Sequence, residues 1–207
     1  MIICLFVFLL YCQSSAVDTG KKSKSPMQNK ICLVSVGKIE EWLLDILADH
    51  LEKTFAGEVK IGETVKLPPD AYNPSRKQYF SSLMLNELRQ TVKPAKGQKF
   101  LAISNVDLYV EGLNFVFGEA ELGGHFAIIS LARLRQEFYG FLENKTLYLE
   151  RAKKEAVHEL GHTFGLRHCP DPVCVMYFSN SLRDTDRKRT SFCPRCEEFL
   201  KKSNSRE

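Results

Sequence analysis

Apolar positions come in three textures along this chain. Residues 2–12, IICLFVFLLYC, form one unbroken apolar run. Residues 17–30 are polar and basic with scattered Gly, Ser and Pro, the composition of a flexible linker. From residue 31 short apolar runs alternate with segments of helical spacing. ICLVSV at 31–36 predicts a buried strand. Ile39, Trp42, Leu43, Ile46, Leu47 and Leu51 recur at helical spacing, which predicts a helix ending near Phe55, with Trp42 in the core and His50 on the solvated side. GEVKIG at 57–62 predicts a short strand, and 75–92 a second helix stopped before Pro94. Further strands are predicted at 100–104 and within 113–122 and 125–134, the last two separated by Gly123 and Gly124. Cys32 reads as a small core residue and His125 as a solvent-facing strand residue. This alternation predicts an α/β fold, a mixed sheet with helices packed on it, in one domain over 31–207. The two late strands are close in sequence, so one of them is expected to pair antiparallel at a sheet edge.

Charge changes the picture only at the front of the chain. The net charge is +4, but Lys21, Lys22, Lys24 and Lys30 lie in the linker, and residues 31–207 carry 25 basic against 24 acidic groups. A near-neutral domain without aromatic-basic interleaving argues against a nucleic-acid partner. The run at 2–12 is shorter than the about 20 residues a membrane helix needs. Small residues follow it at Ser14 and Ala16, so residues 1–16 read as a signal-like leader. That leader predicts an exported or membrane-anchored location, with a cytoplasmic one as the alternative, and no membrane span in the mature domain, which is expected to be a monomer. The mixed-charge run DTDRKRT at 184–190 reads as a solvated loop.

Candidate chemistry concentrates in HELGHTFGLRHCPDPVCVM, residues 158–176. Residues 149–166 have amphipathic helical spacing, and positions four apart nearly overlie on a helix. His158 and His162 therefore share one face, and Glu159 follows the first of them. Gly165 can adopt a positive φ, end the helix and let the chain return His168 to the same point. Three neutral imidazoles leave a tetrahedral zinc with one open position for water. The metal lowers that water's pKa to about 7, and Glu159 is placed to take its proton and deliver it to a leaving amine.

Of seven cysteines, Cys169, Cys174, Cys193 and Cys196 form two close pairs separated by eighteen residues. That is knuckle spacing for a structural four-cysteine zinc site. Because Cys169 adjoins His168, the economical reading is two zinc ions, one catalytic and one structural. Two disulfides are the alternative in an oxidising compartment.

The run from His158 to Cys196, with VDLYVEGLNFVFGEAEL and IISLARL upstream, resembles the archaemetzincin family of zinc metalloproteases over about residues 31–200. The resemblance implies a metzincin-like fold: a mixed sheet with an antiparallel edge strand over a substrate cleft, an active-site helix, and a tight turn whose methionine underlies the metal. Carried onto this chain, the ligands are His158, His162 and His168, the base is Glu159, the turn methionine is Met176, and the second zinc is held by Cys169, Cys174, Cys193 and Cys196. Tyr177 directly follows Met176, whereas some metzincins carry a functional tyrosine two residues after it, so Tyr177 is expected to pack. The function expected is zinc-dependent hydrolysis of peptide bonds in a peptide or protein substrate. The alternative is a zinc-dependent peptide-binding protein that cleaves little.

Overall fold

Six consecutive buried positions make the first strand, and a computed structural model of the protein describes residues 29–204, beginning with it. β1 (Asn29–Val36) starts inside the stretch expected as linker. α1 (Glu41–Phe55) buries Leu43, Leu47 and Leu51, then turns through Ala56 at φ +48° into β2 (Gly57–Ile61). β3 (Tyr72–Asn73), β4 (Gln78–Phe80), α2 (Ser81–Thr91), β5 (Gln98–Ser104), β6 (Leu108–Tyr109), β7 (Gly118–Ala120) and β8 (Phe126–Ser130) follow. The chain closes with α3 (Lys145–Thr163), α4 (Leu182–Arg187) and α5 (Pro194–Asn204).

The main sheet has the order β2-β1-β5-β8-β7. The first four strands are parallel, and β7 runs antiparallel to β8 with Glu119 opposite Ile128. Strand alternation divides the core between the two faces. Leu33, Leu101, Ile103, Ala127 and Ile129 pack with α1 and α3. Cys32, Val34, Phe100, Ala102 and Ile128 pack with Met84, Leu85 and Leu88 of α2. Parallel strands covered on both faces show near-continuous apolar runs, which is why these strands were legible in the sequence. The antiparallel strand expected at an edge is β7, and α3 lies beneath it on the same face as α1.

Several expectations are corrected. The helix predicted from residue 75 begins only at Ser81, because the Tyr79 N–H donates to Asp107 O at 2.8 Å and draws 78–80 into a small sheet with β3 and β6. Of 113–122, only 118–120 is strand. Trp42 is 36 % exposed, with the Lys145 ammonium 4.0 Å from its ring centre, whereas the core stripe of α1 runs through Leu43. His50 is half-buried, and its Nε2 is covered without a hydrogen-bond partner among the described residues. The run 184–190 is not a solvated loop: 184–187 is helical, and Thr185 and Lys188 are buried.

The apolar leader and most of the linker lie outside the described residues. No helix among the described residues is long and apolar enough to cross a membrane.

Leu101 is fully buried in the central strand β5. Leu101→Ala should cost about 2–5 kcal/mol in urea unfolding. Trp42→Ala, at a half-open site, should cost less than Leu101→Ala measured the same way.

Candidate metal centres

α3 carries the first two histidines. It is capped by Asn144, whose side chain accepts the Leu147 N–H at 3.0 Å. Its C-terminal end is a Schellman turn: Leu166 N–H donates to Gly161 O at 3.0 Å, Gly165 N–H donates to His162 O at 2.9 Å, and Gly165 takes φ +89°. The buried Lys99 ammonium donates to Thr163 O at 2.9 Å, placing a cation at the negative end of the helix. The reversed chain then brings His168 back, so the ligand nitrogens of His158, His162 and His168 all lie within 4.8 Å of one another.

Hydrogen bonds fix which nitrogen each helix imidazole offers. His158 Nδ1 lies 2.8 Å from Val175 O, and His162 Nδ1 lies 2.7 Å from Leu166 O. A carbonyl only accepts, so both Nδ1 atoms carry the proton and both Nε2 lone pairs are free. Those two Nε2 atoms face each other at 3.1 Å. Zinc–nitrogen bonds of about 2.0–2.1 Å in tetrahedral geometry place ligand nitrogens about 3.3 Å apart, so the donor set fits zinc. Burial lowers the pKa of all three histidines, with the nearby Lys188 charge acting in the same direction. Neutral imidazole is the ligating form.

Beneath the histidines lies a tight turn, closed by Tyr177 N–H donating to Cys174 O at 3.0 Å. Met176 is fully buried in it, and a Cβ on Gly161 would meet the Met176 sulfur at 2.5 Å. Gly161 is thus the gap in α3 that admits the sulfur. Tyr177 is half-buried and does not line the cleft. Phe178 does, with its ring 4.8 Å from that of His168.

Glu159 is buried against the edge strand, and a Cβ on Gly118 would meet its Cγ at 2.6 Å. The glycine in β7 makes room for that carboxylate. Burial pushes Glu159 well above the usual carboxylate range, and the Glu155 and Glu119 charges add to this while Lys188 opposes it. Glu155 lies one helical turn before Glu159 and is bound by Lys188 at 3.0 Å and by Thr185 Oγ1 at 3.1 Å. Glu119 accepts hydrogen bonds from Ser81 and Ser82 at the start of α2. These carboxylates and the histidines line a cleft of about 390 Å³ along β7. Sequence reasoning missed Glu119, Glu155, Gly118 and Lys188. Only Glu155, four residues before Glu159 on one helix, left a readable signal. His125 is half-buried, bonds Gln98 O at 2.7 Å and takes no part in the cleft.

The four trailing cysteines converge next to this cleft. Cys169 and Cys193 sulfurs are 3.7 Å apart, and Cys174 and Cys196 sulfurs 3.9 Å. All four are free thiols, and their ligand atoms lie within 4.8 Å of one another. Zinc–sulfur bonds of about 2.3 Å in a tetrahedron give sulfur separations of about 3.8 Å, whereas a disulfide needs about 2.0 Å. The spacing is that of four ligands around one ion. The Arg195 guanidinium donates to the Cys169 sulfur at 3.4 Å.

The model of Peptidase family M54 matches residues 27–202. The archaemetzincin of Thermococcus kodakarensis is 42% identical over 175 residues, covering 82% of this chain and 94% of that protein. The archaemetzincin of Methanocaldococcus jannaschii is 45% identical over 177 residues, covering 86% and 94%. The crystal structure of archaemetzincin from Methanopyrus kandleri superposes with a TM-score of 0.75 at 42% identity, covering 87% of this chain and 97% of that one. Relatives covered so nearly whole leave no room for a counterpart of the apolar leader and linker. The exported or membrane-anchored location expected from that leader is therefore withdrawn.

The contact of Gly161 with Met176 has a measurable consequence. Gly161→Ala must displace the sulfur or bend α3, and should lower stability by about 1–3 kcal/mol in chemical denaturation.

Proposed function

The chain belongs to peptidase family M54, the archaemetzincin zinc metallopeptidases, and on that premise we propose how its own residues divide the work of peptide hydrolysis. His158, His162 and His168 hold the catalytic zinc. Glu159 is the general base. Cys169, Cys174, Cys193 and Cys196 hold a second, structural zinc, giving two per chain. The observation that carries this reading is the pair of Nε2 atoms at 3.1 Å whose Nδ1 partners are both committed to backbone carbonyls. A histidine pair with only a packing role has no need of this orientation.

Zinc supplies Lewis acidity, which polarises a substrate carbonyl and brings the pKa of water to about 7. The chain supplies the rest. β7 is the edge of the main sheet, so an extended peptide can add to it as a further strand and present its scissile bond over the histidines. Glu159 takes the proton of the attacking water on its carboxylate and passes it to the leaving nitrogen. An ion held by His158, His162 and His168 would act against the effect of burial on Glu159 and favour its ionised form, the one that accepts a proton. Ser81 and Ser82 bind Glu119, and Lys188 pairs with Glu155, so among the described residues Glu159 is the carboxylate of the cleft without a hydrogen-bond or ion-pair partner.

Rates on a peptide library, measured alongside zinc content by elemental analysis, test the assignment. Wild type should hold two zinc ions and cleave. Glu159→Gln should hold both and lose about 10²–10⁴-fold in rate. Cys193→Ser should hold one and unfold at lower temperature. Wild-type rates in Glu159→Gln would show the base to be elsewhere.

A further inference from the structure

A second cavity, of about 570 Å³, adjoins the catalytic cleft and shares Phe115 and Asn180 with it. A peptide laid along β7 can therefore turn one side chain out of the cleft and into this cavity. Its volume lies in the range that seats small ligands and large side chains. Phe115, Tyr139, Phe141 and Leu182 form apolar walls. Phe141 is 67 % exposed, and Tyr139 is 40 % exposed beside it. Apolar surface left open at the margin of a cleft is what an incoming apolar group would cover.

Three guanidinium groups also reach the cavity. Arg133 is held by both oxygens of Asp107, at 2.6 and 2.8 Å, and lies over the Phe115 ring at 4.3 Å. Arg151 is held by both oxygens of Asp186, at 2.6 and 2.7 Å. Arg183, exposed at the rim in α4, has no ion-pair partner among the described residues. Three cations thus meet two carboxylates at this cavity.

We infer that this cavity is a specificity subsite that seats a large aromatic side chain flanking the scissile bond, with Arg183 as the residue that turns away lysine and arginine. The inference rests on the peptidase reading. The aromatic walls offer stacking surface, and the guanidinium at the rim can lie over an incoming ring. A substrate ammonium would be brought beside an unneutralised like charge in a partly dehydrated pocket.

Cleavage rates on a zinc-loaded peptide set, with Phe, Glu or Lys at each position flanking the cut, test this in wild type, Arg183→Glu and Phe141→Ser. Both substituted residues are exposed, so the fold is kept. Wild type should prefer Phe over Lys at one flanking position by tenfold or more. Arg183→Glu should raise kcat/KM for the Lys peptide about tenfold while the Phe peptide stays within twofold. Phe141→Ser should lower the Phe peptide alone. Unchanged ratios in Arg183→Glu, or Glu favoured over Phe in wild type, would overturn the subsite. If wild type cleaves none of the set, the peptidase reading fails for these substrates, and binding of the same peptides to zinc-loaded Glu159→Gln decides the cavity separately. An Arg183-dependent preference for Phe over Lys in binding upholds the subsite, and equal binding overturns it.

Discussion

A single backbone carbonyl organises this protein's chemistry. Val175 O accepts the His158 Nδ1 proton, which turns the Nε2 lone pair toward His162 and ties α3 to the turn beneath it. The same turn seats Met176 against the gap at Gly161. It also joins the two candidate metal centres, because Met176 O accepts the Cys169 N–H at 2.9 Å and Cys174 O accepts the Tyr177 N–H. Orientation of a ligand by its outer partners is as much a part of a metal site as the ligand itself. Here those partners are main-chain atoms, so the site depends on the path of the chain more than on further side chains.

The cysteine cluster makes sense in that light. His168 is exposed and lies on no helix or strand, so little local structure holds it. The next residue, Cys169, is buried in a cluster that joins the Met176 turn to the start of α5. Anchoring Cys169 limits how far His168 can move. A metal held by the four cysteines, as proposed, would stiffen the loop that presents His168.

The surroundings of Glu159 are built by neutralising its neighbours. Glu155 and Glu159 are buried in the cleft and Glu119 is half-buried beside them, an arrangement that is costly without partners for the neighbouring carboxylates. Glu155 has Lys188, both essentially without exposure, and Glu119 has two seryl hydroxyls. The second cavity carries an excess of guanidinium over carboxylate beside that cleft.

The sequence by itself determined the parallel strands, the first helix and the shared face of His158 and His162, because each depends on short-range periodicity. Ile31 through Val36 read as a covered strand from their apolar run, and residues four apart on α3 share a face whatever the rest of the chain does. Gly165 marked the end of that helix for a stereochemical reason that is equally local. Tertiary structure decided what depends on distant partners. The residues before Ser81 have helical spacing, yet they pair with Asp107, so a long-range hydrogen bond overrode the local preference. Trp42 left the core because the buried stripe of α1 is set by where α3 lies. Lys188, in a charged run with no apolar period, is buried because Glu155 waits for it across 33 residues of chain. Spacing can bring ligands to one face of a helix, but only the folded chain chooses the carbonyls, glycines and counter-charges that aim them.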